Sequence, residues 1–346
     1  MISTPSTRMQ KIFVAHSPFH VFISEMMVNT MDEFVNCKNI LLLEFDQDVE
    51  DINRGLWFDV IYLENVGNST LGRKNYQKSE NNIGLVRKLV DENSKSCLFL
   101  SDIAWPMNNR LFFDKQLRRK AAFCLISDGL GTYLLPKVTK MLFLRGSVKY
   151  LNGLLRGGVR YRNYLGSQFG VDRKEIKYVY APNVKFVECD PAKKKEVFTS
   201  TMKIPQLDQS KCILLDQPGL TLVNEKDWSI IQSATVDFLK LLGVDLYYKN
   251  HPSGRKEEEV YYQSHGFSII EANGCAEKII AEENFGIVVS YLSSALFNLK
   301  LQYSEAIRCI ALSNRLLSTK RIDYNDNRFD EVYELFRKIN IEVIEI

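Results

Sequence analysis

Lys11-Ile12-Phe13-Val14-Ala15-His16-Ser17-Pro18-Phe19-His20 is the stretch on which the reading of this chain turns. Ile12 to Ala15 form an apolar run of strand length, and two of the chain's four histidines follow before a helical pattern begins at 19. The same succession recurs twice. Leu246-Tyr247-Tyr248 leads into Lys249-Asn250-His251-Pro252, and the apolar run Phe123 to Ile126 leads into Ser127-Asp128-Gly129. Open α/β sheets bind ligands at the carboxyl ends of their strands, and histidine exchanges its proton near neutral pH. Titratable groups in those positions mark a candidate site.

Outward from these turns, strand-length apolar runs alternate with longer amphipathic stretches. Strands are expected at 11–16, 39–45, 59–64, 97–102, 121–127 and 176–181, then at 212–216, 245–249, 267–271, 286–291 and 307–312. Helices are expected at 19–34, 81–93, 107–120, 138–156, 225–242, 256–264, 276–283, 294–302 and 327–339. Such alternation implies parallel sheets and an α/β class. Between the two series, residues 181–210 hold three prolines and the lysine run 193–195, the composition of a linker. The expected organisation is therefore a Rossmann-like domain over 1–190, a linker over 191–210 and a second Rossmann-like domain over 211–346, facing each other across a cleft.

Composition narrows the functional classes. The chain has 346 residues, of which 45% are hydrophobic and 25% charged, as in a soluble globular protein. Without an apolar run of 18 or more residues, no membrane-spanning helix is expected. Residues 1–10 lack the apolar core of a secretory signal and read as a short leader. The seven cysteines are scattered with no C-x-x-C pair, so reduced, packed thiols and a cytoplasmic location are expected. Dinucleotide, P-loop, zinc-protease and nucleophile-elbow motifs are all missing, and no metal or cofactor is expected. From Gly129 to Val171 there are seven bases (Lys137, Lys140, Arg145, Lys149, Arg156, Arg160 and Arg162) and no acid. This +7 stretch is either a solvated helical surface or a face for an anionic glycan or anionic membrane through 137–162; no nucleic-acid motif accompanies it.

Five segments carry the candidate chemistry. Pro252 disfavours the helical region for His251, which leaves an imidazole at a strand end able to protonate a phosphate oxygen of a departing nucleotide, or simply to serve as a hydrogen-bonded structural group. Asp128, followed by Gly129, sits where backbone approaches a ligand closely and could accept the proton of a sugar hydroxyl; an ordinary turn is the plainer alternative. Ser293-Ser294 opens a helix, either as a phosphate seat or as an N-cap alone. Glu277 could hold ribose hydroxyls or merely complement a helix start. Asp216, before Gln217-Pro218-Gly219, is a reserve base.

In this order, the segments resemble bacterial sialyltransferases of the GT-B fold, in particular the lipooligosaccharide enzymes and the capsular sialyl- and polysialyltransferases. The pieces that carry the resemblance are His16-Ser17-Pro18-Phe19-His20, Asp128-Gly129, His251-Pro252 and Ser293-Ser294, which sample residues 11–312. It implies inverting, metal-independent transfer of sialic acid from CMP-sialic acid to a hydroxyl of a cell-surface glycan. His251 would act as acid and Asp128 as base, with Asp216 in reserve. His16, Ser17, His20, Gly129, Gln217, Pro218, Lys249, Pro252, Glu277, Ser293 and Ser294 would contact substrate. The N-terminal domain would face the acceptor and the C-terminal domain the nucleotide. The chain departs from the pattern in having Ser127 where many members carry a second acid, and Gly219 where some carry an Asp. Another cytidine-nucleotide transferase (3-deoxy-octulosonate or glycerophosphate) and a non-catalytic envelope-assembly partner are the competing expectations.

Overall fold

The opening apolar run is β1 (Gln10–Ala15), buried along its whole length. It lies between two other strands and pairs in parallel with both. The computed structural model describes residues 9–45, 52–66, 73–91, 95–134, 137–156, 159–197, 206–217, 223–251, 254–271, 274–318 and 327–346. The chain divides into two units, Met1–Ser200 and Thr201–Ile346.

In the first unit, β1 is followed by α1 (Pro18–Thr30), β2 (Lys38–Leu43), β3 (Asp59–Tyr62), α2 (Arg73–Asp91), β4 (Ser96–Leu100), α3 (Pro106–Phe112), α4 (Leu117–Lys120), β5 (Ala121–Ile126), α5 (Gly131–Leu134), α6 (Lys140–Arg156), β6 (Ile176–Ala181) and β7 (Lys194–Glu196). The sheet order is β3-β2-β1-β4-β5-β6-β7, with every pairing parallel. Parallel strands need crossover connections and are covered on both faces. That is why β1, β2, β4 and β5 read as near-continuous apolar text rather than alternating patterns. Phe13 and Phe99 stack at 4.4 Å in this core.

The second unit comprises β8 (Asp208–Leu215), α7 (Glu225–Leu241), β9 (Asp245–Lys249), α8 (Lys256–Ser264), β10 (Ser268–Ile269), α9 (Ala276–Glu282), β11 (Phe285–Ser290), α10 (Ser294–Tyr303), β12 (Arg308–Ser313), α11 (Asn327–Lys338) and β13 (Glu342–Glu345). Its sheet runs β10-β9-β8-β11-β12-β13, again with every pairing parallel. Counted from its own first strand, this is the 3-2-1-4-5-6 order of a Rossmann sheet, and the first six strands of the first unit repeat it. The chain order reverses between β1 and β4 in one sheet and between β8 and β11 in the other. These are the points at which ligands bind in such folds.

Three expectations need correction. The linker expected over 191–210 is partly structured: 191–193 form a 3-10 turn, Lys194–Glu196 is β7 paired to β6, and β8 starts at Asp208. The helix expected over 107–120 is two helices. Asp114 Oδ1 accepts from Gln116 N and Leu117 N at 3.0 Å each, so a new helix start is capped inside the expected span. The helix expected from 81 begins at Arg73. Pro218, Gly219, Pro252 and residues 1–8 lie outside the described residues.

Candidate active site

In the first unit, the residues just past β1, β2, β4 and β5 form one buried polar cluster. Ser17 caps α1, accepting from His20 N at 3.3 Å, and Pro18 starts the helix, where a missing N–H costs nothing. The cap fixes two histidines one helical turn apart. His16 N–H donates to His20 Nδ1 at 3.3 Å. With Nδ1 accepting, the His20 ring proton sits on Nε2, and Nε2 lies 2.7 Å from Asp128 Oδ1. Asp128 N–H donates to Thr132 Oγ1 at 2.8 Å. Gly129 turns the chain at a φ of 69°, in the left-handed region that favours glycine. The Asp128 side chain remains 32% exposed, and among the described residues its Oδ2 takes no hydrogen bond. A carboxylate held by one oxygen with the other turned to solvent can receive a proton.

His16 is the opposite case. Asn108 Nδ2 donates to its Nε2 at 2.8 Å, so the proton sits on Nδ1, which lies 3.2 Å from Glu44 Oε2. That contact is off the line of a directed hydrogen bond. Trp105 stacks on the His16 ring at 5.1 Å and donates Nε1–H to Glu44 Oε2 at 3.0 Å. Burial, reinforced by His20, pushes His16 down to about 3. Burial likewise pushes Glu44 up to about 8. Both groups are therefore uncharged at neutral pH, which is how a dry site tolerates them. Asp102, just past β4, accepts from Ala104 N at 2.6 Å and Trp105 N at 2.5 Å. Burial, and then the nearby Asp128, raise its affinity for a proton. A cavity of about 380 Å³ opens beside this turn, lined by Ala104, Arg145, Tyr161, Asn163, Tyr164 and Gln168 among others.

In the second unit, the ends of β9, β8 and β11 are sheet neighbours. Asp216 N–H donates to Lys249 O at 2.9 Å, and Leu292 N–H donates to Gln217 Oε1 at 3.1 Å. With β8 between them, the turns holding His251 and Ser293 stand two strand spacings apart, about 10 Å. Ser293 Oγ accepts from Ala295 N at 3.2 Å as the N-cap of α10, and Ser294 is that helix's first residue. Burial, then Lys249, lowers the affinity of His251 for a proton; burial does the same to Lys249. Asn250 Nδ2 donates to Glu259 Oε1 at 2.8 Å and to Arg255 O at 3.2 Å. The start of α10, with Ser293 as its cap, carries the positive end of that helix's dipole.

Two expected site residues face inward instead. Glu277 is buried and accepts from Asn298 Nδ2 at 2.9 Å, so it ties α9 to α10 and presents no open carboxylate for ribose. Asp216 is buried with Oδ2 inside the protein. Burial, then Glu258, pushes it up to about 8, and Trp228 holds Glu258 Oε1 at 3.0 Å. A protonated interior carboxyl is a poor base. Sequence reasoning missed Glu44, Ser101, Asp102, Trp105 and Asn108. The rule applied to Asp128, a polar residue at the end of an apolar strand, would have found Glu44 and Asp102. Among the described residues, no group of three or more His, Cys, Asp or Glu side chains could hold a metal ion, and no helix is long and apolar enough to cross a membrane.

Comparison with solved structures places the fold. The GT-B domain of the sialyltransferase from Photobacterium damselae superposes with a TM-score of 0.55 at 12% identity, covering 97% of this chain and 99% of that one. The alpha/beta-galactoside alpha-2,3-sialyltransferase of Photobacterium phosphoreum superposes at 0.52 and 11% identity, covering 98% and 99%. The glycosyltransferase of kitacinnamycin does so at 0.50 and 12%, covering 99% and 87%. No curated protein sequence matches the chain. Residues 11–306 match the alpha-2,8-polysialyltransferase family, and across that span the match takes in His16, His20, Asp128, His251, Ser293 and Ser294. The chain belongs to the alpha-2,8-polysialyltransferase family and is a glycosyltransferase of the sialyltransferase class.

Proposed function

We propose that the protein transfers sialic acid from CMP-sialic acid to a hydroxyl of a cell-surface glycan, with inversion and without a metal. The observation that carries this reading is the His20–Asp128 pair, an ordered carboxylate at a strand end with one oxygen still open to solvent. Asp128 Oδ2 takes the proton of the attacking hydroxyl while His20 Nε2–H holds Oδ1 in place. The acceptor oxygen bonds to the anomeric carbon as the bond from that carbon to the phosphate oxygen breaks. CMP leaves with the electron pair, and His251 supplies a proton to the departing phosphate.

The second unit supports the nucleotide side of this reading. Donors preset around a phosphate are worth most when charge develops on it in the transition state. The N–H groups at the start of α10, Ser293, Ser294 and His251 form such a set. His251 starts with a lowered proton affinity, and a bound phosphate would raise it, so CMP should bind more tightly as pH falls. The cavity beside Tyr161 and Tyr164 suits the sugar of an acceptor. The name of the family supports an alpha-2,8 linkage to an acceptor already carrying sialic acid; an acceptor of lipooligosaccharide or capsule type completes the proposal. A cytoplasmic location with peripheral contact to an anionic membrane belongs to the same reading. The test is incubation with CMP-sialic acid, CMP-3-deoxy-octulosonate and CDP-glycerol in the presence and absence of EDTA. Turnover of the first alone, unchanged by EDTA, is expected; no turnover of CMP-sialic acid overturns the proposal.

A further inference from the structure

α6 is the one described helix whose outward side is its most apolar. Gly146 and Gly153 face the body of the unit. A Cβ on Gly146 would stand 2.0 Å from Asn163 Oδ1, which shows how closely this side packs. On the other side, Met141, Leu144, Val148, Leu151 and Leu155 recur at intervals of three and four and are 61%, 61%, 51%, 54% and 83% exposed. Eight of the sixteen exposed large hydrophobic residues of the described chain lie on this helix. A surface helix of a globular protein puts such a stripe inward, and contiguous exposed apolar area marks an interaction site.

The charge around the stripe selects the occupant. α6 carries Lys140, Arg145, Lys149 and Arg156 and no acid, with Lys137, Arg160 and Arg162 close by in sequence. A second copy laid on the same stripe would bring bases against bases. An anionic glycan would answer the charge and leave the leucines in water. A bilayer with anionic headgroups answers both, since a helix with an apolar face and a basic surround settles at the headgroup boundary. We infer that α6 docks this protein on an anionic lipid surface, lying in its plane along about 25 Å. Leu142, Phe143 and Gly146 on the same helix line the cavity beside Tyr161, so docking would hold that cavity next to the membrane. The inference rests on the membrane contact of the proposed function and deepens it by naming the helix that makes the contact; vesicle binding tests it apart from the identity of the donor.

Co-sedimentation of the full chain with vesicles tests it. Binding to a phosphatidylcholine–phosphatidylglycerol mixture, weak binding to phosphatidylcholine alone and a lower yield at high salt are expected. Leu144→Ser with Leu151→Ser should lower partition by about tenfold while the thermal unfolding curve and CMP affinity stay unchanged. Leu155→Ser, at the most exposed position, provides a second variant should the first fail to fold. Equal partition of wild type and variants, or of the two vesicle types, overturns the inference. So does a dimer in sedimentation velocity that the same substitutions dissociate without any vesicle binding, because the stripe would then be an interface between copies.

Discussion

The two units share a strand order and load their strand ends with opposite chemistry. In the first, the turns after β1, β2, β4 and β5 hold two histidines and three carboxyl groups, of which only Asp128 meets solvent. In the second, β9 ends at a buried Lys249 with His251 just past it and β11 leads to the N-terminus of α10, while the carboxyl groups of Asp216 and Glu258 are buried. The proposed function assigns the acceptor's proton to the first set and the nucleotide's phosphate to the second. The Rossmann order fixes where chemistry can stand; the residues at the strand ends decide which chemistry it is.

The largest effect that would break this contrast concerns Asp128. Asp128→Asn should lower transfer by roughly 100- to 10,000-fold, measured as acceptor-dependent CMP release. Full activity in Asp128→Asn with loss in Asp216→Asn would move the base to the second unit. His251→Ala, or Ser293→Ala with Ser294→Ala, should cost about a hundred- to a thousand-fold in turnover, the loss typical of one preset donor.

A smaller effect sharpens the contrast through pH. His16 falls from its ordinary 6.5 to about 3 in the folded chain, so its contribution to stability is complete above 6.5 and is lost as pH drops toward 3. Asp216 rises from 3.8 to about 8, so its contribution is complete below 3.8 and is lost as pH rises toward 8. Glu44 in the first unit rises from 4.5 to about 8 and behaves as Asp216 does. Hydrogen exchange should therefore show the first unit loosening on the acid side through His16 and on the alkaline side through Glu44, and the second loosening on the alkaline side through Asp216. Asp216→Asn should remove the alkaline loss of the second unit alone; an unchanged alkaline profile there would sink that explanation. Ser17→Ala, which removes the α1 cap, should cost about 1 kcal/mol and should also weaken transfer by loosening His20.

Much of this was legible because buried parallel strands are written as unbroken apolar text. The runs ending at Ala15, Ile126, Tyr248 and Ser290 were placed to within a residue or two. The strands that escaped, β7 and β13, read Lys-Lys-Glu and Glu-Val-Ile-Glu. Both are edge strands, where charge is tolerated and blocks unwanted pairing, so they resemble linker. At the site, single residues could be nominated but their partners could not. His20 and Asp128 meet only because β1 and β5 both flank β4 in one sheet. Burial likewise is invisible in sequence: Asp128 and Asp216 each follow an apolar strand, yet one faces water and the other does not.

The division of labour between the units is tested most directly by calorimetric titration of CMP into wild type, Asp128→Asn and His251→Ala. CMP affinity within about twofold of wild type in Asp128→Asn, with a loss of about tenfold or more in His251→Ala, is the expected result for a charge-assisted phosphate contact. Weak CMP binding in Asp128→Asn beside normal binding in His251→Ala would contradict it.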